Sequence, residues 1–150
     1  MKIVLDANIF VSSLFWGGNP RIVLERAISK LDELFITKEI LDEIEEVIGR
    51  PKFHAGRNEI EYYKKSIEEI SNWIVPKYVL KKGSRDKTDN KYIECGIAAK
   101  VDYIISGDVH LLEIKEYDGI KIVNAKEYLE IINREELHAA NHKRKNRNQG

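Results

Sequence analysis

The chain has one cysteine, Cys95, among 150 residues, which excludes an internal disulfide and makes a reducing, cytoplasmic compartment the expectation. No run approaches the ~18 apolar residues of a membrane-spanning helix, so no membrane association is expected. The first residues lack the basic-then-apolar pattern of a leader. Neither the glycine fingerprint of dinucleotide-binding domains nor the phosphate-cradling P-loop is present, which weakens any nucleotide-cofactor reading. Net charge is missing too, since 25 Lys and Arg balance 25 Asp and Glu. That zero hides an asymmetry. Residues 138–150 carry Lys143, Arg144, Lys145 and Arg147 and no acid, leaving −4 on the first 137 residues. Such a body is not a generic cationic nucleic-acid coat. Nucleic acid would have to be handled through a local basic patch and bound cations.

What is there is a single-domain length with strands and helices in alternation. Ile3, Val4 and Leu5 form a short run that is apolar at every position, the pattern of a strand buried on both faces, and it stops at Asp6. Asn8–Trp16 reads as a helix broken at Gly17-Gly18, followed by a second helix capped by Asn19 with Pro20 at its first position. Glu33–Ile36 is a second strand. Thr37 caps a helix over Lys38–Ile48 that ends at Gly49. Asn58 and Glu61 suggest a capping box for a long helix reaching about Trp73. Val75–Leu80 is the expected third strand, placed at an edge by Pro76. Residues 81–88 read as a loop, a helix opens at Asp89, and Tyr103–Ser106 is the fourth strand. A short helix over Val109–Ile114, a fifth strand at Ile120–Val123 and a helix capped by Asn124 complete a domain of residues 1–135. Residues 136–150 are expected to form a basic, disordered tail. The fold class is α/β, a three-layer α/β/α sandwich around a mainly parallel five-stranded sheet.

In open parallel sheets, ligands bind beyond the carboxyl ends of the strands. Asp6 ends strand one and Asp108 lies just past strand four. Neighbouring strands are roughly 5 Å apart, which would aim both carboxylates into one crevice. Asp89 opens a helix, where the dipole favours negative charge, and Glu43 edges the helix over residues 38–48. Two carboxylates at ~4 Å repel by about 4 kcal/mol at an effective dielectric near 20. Neither Asp6-Ala7-Asn8 nor Ser106-Gly107-Asp108 contains a cation to offset this. A divalent ion would, and oxygen donors without His or Cys suit Mg²⁺ or Mn²⁺. Taken singly, each acid has a plainer reading: a turn residue, a helix cap, or part of the solvated run around Asp42, Glu45 and Glu46. It is their joint placement that points to chemistry.

The segments VLDANIFVSSLF, ITKEILDEIEEVIGRPKF and SRDKTDNKYIECGIAAKVDYIISGDVHLL resemble, in order over about residues 1–130, the motifs of the PIN-domain family of metal-dependent ribonucleases. They are most similar to its branch of prokaryotic toxin–antitoxin toxins. The resemblance implies that Asp6, Glu43, Asp89 and Asp108 bind the metal and carry catalysis, with Asn8 and Ser106 in support. Glu43 is preferred over Glu39 and Glu46 by its place in the motif, and Asp89 over Asp86 because the helix start fixes it, Asp86 then supporting. It also implies hydrolysis of single-stranded RNA to a 5′-phosphate, an antitoxin that masks the site, and a homodimer.

Lys82, Arg85 and Lys87, with Lys77, Lys81 and Lys91 nearby, form a basic stretch that could meet RNA phosphates, as could Arg50, Lys52 and Arg57. A solvated loop explains them equally well. His54 and His110 read as surface residues, Cys95 as packing, and Trp16 and Trp73 as core or subunit contacts. Two rivals stand beside the nuclease. One is a catalytically silent PIN-like module that binds RNA or protein. The other is a phosphatase or receiver domain, for which Asp6-Ala7-Asn8 lacks the second acid.

Overall fold

The computed structural model describes residues 1–77, 80 and 89–149. Among them, strands β1 (Lys2–Leu5), β2 (Glu33–Ile36), β3 (Ser71–Trp73), β4 (Tyr103–Ile105), β5 (Glu116–Tyr117) and β6 (Ile120–Val123) form one sheet in the order β3-β2-β1-β4-β6-β5. Every pairing is parallel except β5 with β6. The helices are α1 (Ala7–Phe15), α2 (Gly18–Ile28), α3 (Lys38–Ile48), α4 (Arg57–Ile70), α5 (Asn90–Ala99), α6 (Val109–Leu112) and α7 (Ala125–Asn148). The architecture is the expected three-layer sandwich.

The continuous apolar run of β1 is buried as its pattern demands: Ile3, Val4 and Leu5 are all at most 1% exposed. Each such side chain contributes about 1.5–3 kcal/mol through burial. β4, with Ile104 and Ile105 fully buried, lies beside it in the register Leu5 opposite Ile105. From β1 the chain turns to β2 on one side, and from β4 it moves to β6 on the other. The boundary between β1 and β4 is therefore where the winding direction reverses, the place where an open α/β sheet leaves a crevice at its carboxyl edge.

α3 has the clearest amphipathic stripe. Ile40, Leu41, Ile44, Val47 and Ile48 are buried, and the Thr37 hydroxyl accepts the Ile40 N–H at 3.2 Å to start it. α5 packs against β1, β2 and β4. Gly96 permits the close approach: a Cβ there would lie 3.1 Å from Val101 Cγ2 and 3.3 Å from Ile104 Cδ1.

Several expectations need correction. Among the described residues the sheet has six strands, not five. The extra one, β5, is joined to β6 by Asp118-Gly119, whose φ values of 48° and 80° are those a tight two-residue hairpin requires. The third strand is Ser71–Trp73; of the expected Val75–Leu80, Val75–Lys77 and Leu80 lie in no strand, and Tyr78 and Val79 lie outside the described residues. α4 stops at Ile70, and pairing with β2 claims the polar segment right after it. β3 lies at an edge of this sheet. Asn58 caps nothing, because α4 begins at Arg57 after Gly56, and α2 begins one residue before Asn19. Trp16 and Trp73 are exposed, which excludes the core and leaves subunit contact as the expectation. The basic tail is helical to Asn148. No Gly or Pro interrupts residues 125–149, and an already nucleated helix gains one hydrogen bond with each residue added.

Candidate active site

Asp6 occupies two roles at once. It ends β1 and caps α1, its Oδ1 accepting the Ile9 N–H at 2.9 Å. Its Oδ2 accepts the Ser106 hydroxyl and, at 3.3 Å, the Gly107 N–H. The side chain is 2% exposed. Burial pushes its carboxyl above the ordinary range; the bonds from Ser106, Ile9 and Gly107 work against that shift, while the charge of Asp108 adds to it.

Ser106 follows β4 as Asp6 follows β1, so the Leu5–Ile105 register sets them side by side. Its fully buried hydroxyl gives its proton to Asp6 and accepts the Asp108 N–H at 2.9 Å. Asp108 is half-buried and caps the short α6 through the His110 N–H at 2.7 Å. The sequence-derived pair Asp6 and Asp108 is thus joined through one hydroxyl.

The first turn of α5 forms the opposite wall. Asp89 is buried at its start and contributes no capping hydrogen bond to the helix. Three residues on, and so on the same helix face, is Tyr92. Its hydroxyl accepts the Ala7 N–H at 3.1 Å and donates to Glu43 Oε2. Burial and the Glu43 carboxylate push this phenol far above its ordinary pKa, so it stays a donor. Lys91 Nζ reaches the same Glu43 oxygen at 3.0 Å, with side chains only 13% and 25% exposed. Glu43 is the acid of α3 that turns toward α5; Glu39 is exposed, and Glu46 pairs with Arg50.

A family model for the PIN domain matches residues 2–110. The chain belongs to the PIN-domain family. Among solved structures, one similar chain comes from the crystal structure of VapBC2 from Rickettsia felis bound to a DNA fragment from their promoter. It has a TM-score of 0.58 and 13% identity, and the match covers 83% of this chain and 98% of that one. At that identity the likeness concerns the fold. No curated protein matches the sequence.

In this PIN domain Asn8 is exposed in the first turn of α1. Asp86, Lys82, Arg85, Lys87 and Lys81 lie outside the described residues. Lys91, grouped from sequence with residues facing RNA phosphates, is instead paired with Glu43. Arg50, Lys52 and Arg57 are exposed, and Arg50 is bound to Glu46.

As the side chains stand, no three His, Cys, Asp or Glu groups among the described residues are close enough to hold a metal ion. Ser106 bonds the Asp6 carboxylate and the Asp108 backbone N–H, whereas Glu43 is engaged by Lys91 and Tyr92. The chemistry of the donors still fits a hard divalent cation, because the acids around the crevice are all carboxylates, with no thiolate or imidazole among them. Two participants were missed from sequence, the Glu43 counter-ion Lys91 and the bridging Tyr92. The available signal for Tyr92 was a polar-tipped aromatic one helical turn after Asp89.

Proposed function

We propose that this PIN domain is a Mg²⁺- or Mn²⁺-dependent endoribonuclease that cuts single-stranded RNA and acts as the toxin of a toxin–antitoxin pair. The observation that carries the reading is the coupling of Asp6 to Asp108 through Ser106, at the carboxyl ends of adjacent strands and at the point where the sheet reverses its winding.

Asp6, Asp89 and Asp108, with Glu43, would hold the ion. The ion would activate water and neutralise charge on the phosphate under attack. The chain's own residues prepare the place for it. Ser106, Gly107 and Ile9 orient the Asp6 carboxylate by donating to it, and Ser106 fixes the backbone of Asp108. Tyr92 ties Glu43 of α3 to the Ala7 amide, next in the chain to Asp6. Burial makes the bare Asp6 carboxylate unfavourable, a burden that a cation relieves. Asn8 and Asp86 are supporting groups, and Lys82, Arg85 and Lys87 are the proposed contacts to RNA phosphates.

The fold shared with a VapBC2 chain supports a cognate antitoxin as partner; a homodimeric toxin and a cytoplasmic setting belong to the same proposal. A second reading, a PIN-like module that binds RNA or protein without cutting, draws on the engagement of Glu43 by Lys91. Incubation of a long single-stranded RNA with purified protein in Mn²⁺, Mg²⁺ and EDTA, with Asp6→Asn alongside, separates them. Metal-dependent cutting that the variant loses supports the nuclease. Metal binding and RNA binding without cutting support the module.

A further inference from the structure

We propose that Lys91 is a built-in competitor for the metal ion, a positioning residue that holds Glu43 while the site is empty of metal and thereby lowers the site's affinity for the ion. This rests on the nuclease reading above and adds a residue that sets when the site is loaded.

The argument starts from one oxygen. Glu43 Oε2 receives both the Lys91 ammonium at 3.0 Å and the Tyr92 hydroxyl. A carboxylate oxygen offers two lone pairs, so these two donors engage that atom fully. An ion that takes Glu43 through Oε2 must displace one of them. Tyr92 is the fixed member: it is 2% exposed, and its hydroxyl is held from the other side by the Ala7 N–H. Lys91 is the movable one, a single charge at the end of a flexible four-carbon stem. The pair is also sheltered, with side chains 13% and 25% exposed, so solvent and salt screen it less than a surface pair. Lys91 therefore supplies positive charge at an acid the metal needs. If it stayed nearby after the ion arrived, it would repel it.

Both consequences have the same sign. Removing the ammonium frees a Glu43 lone pair and makes the crevice more negative, so the ion binds more tightly. Lys91→Met keeps much of the apolar stem that lies beside the Tyr92 ring, where Nζ is 5.9 Å from the centroid, and discards only the charge. Removing a partner that orients a metal ligand typically costs about 10–100-fold in affinity; Lys91 opposes the ion instead, so its removal acts in the reverse direction.

The test is equilibrium Mn²⁺ binding to the chelator-stripped 150-residue chain, read by calorimetry or by the free-Mn²⁺ electron spin resonance signal, for wild type, Lys91→Met, Lys91→Gln, Lys91→Arg and Asp6→Asn. The expected result is about tenfold tighter binding by the Met and Gln variants, with Arg close to wild type. Unchanged or weaker binding by folded Met or Gln protein overturns the proposal and leaves Lys91 a merely structural contact. Melting curves in EDTA establish folding, and the Gln variant carries the test if Met fails to fold. Wild type that binds Mn²⁺ while Asp6→Asn does not keeps the nuclease site standing whatever Lys91 does. Wild type that binds none defeats both readings.

Discussion

Ser106 donates its hydroxyl proton to Asp6 Oδ2 while the same oxygen accepts the Asp108 N–H at 2.9 Å, so one fully buried atom sets the spacing of the two acids. Ser106→Ala removes both bonds and leaves Asp6 and the Asp108 amide without this partner. We expect a loss of about 1–3 kcal/mol in stability and a cleavage rate lower by about 10–100-fold, as for other groups that orient metal ligands. Single-turnover RNA cleavage and denaturant unfolding measure the two effects separately. A wild-type rate in folded variant protein would remove Ser106 from the site.

Asp6 gives a pH dependence of definite sign. Its carboxyl is held above the ordinary range by burial, so over the pH window above about 3.9 the folded state keeps a proton that the unfolded chain has released. Folding then binds a proton, and metal-free stability falls as pH rises through that window. Asp6→Asn has nothing to titrate there. In EDTA, the melting temperature of the variant relative to wild type should climb between pH 4 and pH 7. Added Mn²⁺ should raise the wild type at pH 7 and leave the variant where it was. A difference that stays flat with pH would show that Asp6 titrates normally.

Local signals in the sequence were enough for β1, for the Thr37 and Asn124 caps, and for the placing of Asp6 and Asp108 at strand ends. Each rests on residues close in sequence, such as Asn124 accepting the Glu127 N–H. What failed needed a partner far along the chain. Ser71–Trp73 has no apolar alternation and becomes a strand only because β2 offers it a free edge. Lys91 looked like one more cation in a basic stretch, and its partner Glu43 is 48 residues away. Resemblance alone selects Glu43 in the sequence, whereas its contact with α5 is visible only in three dimensions. The Asp118-Gly119 dipeptide is itself a hairpin signal legible in the sequence.

Another buried acid, Asp32, is remote from the crevice in sequence and holds the other side of the fold. It is 1% exposed and accepts bonds from the chain's amino terminus at 3.2 Å, Arg26 Nε at 2.9 Å and the Tyr128 hydroxyl at 2.8 Å. Asp32→Ala strands these donors in a poorly solvated place; Arg26 keeps only its exposed bond to Glu136. Breaking a buried charge pair from one side typically loses about 3–5 kcal/mol, or about 10 °C in melting temperature for a chain this long. Metal binding measured well below that melting temperature should be near wild type, which distinguishes a scaffold acid from a site acid.

Cys95 tests the packing of α5 without touching the site. Its side chain is fully buried on the helix that carries Asp89, Lys91 and Tyr92, and burial alone pushes the thiol up to about 12. Thiol reagents attack the thiolate, so at pH 8 a folded molecule offers both almost no thiolate and no path to it. Native protein should therefore consume less than a tenth of an equivalent of a disulfide reagent over an hour, rising to one equivalent in denaturant. Reaction in the native state at a rate independent of reagent concentration would report the opening of α5 itself. Because that helix supplies one wall of the crevice, the opening rate should fall when Mn²⁺ is added to wild type and stay unchanged in Asp6→Asn. Equal slowing in both proteins would mean that the ion stabilises α5 from somewhere other than this crevice.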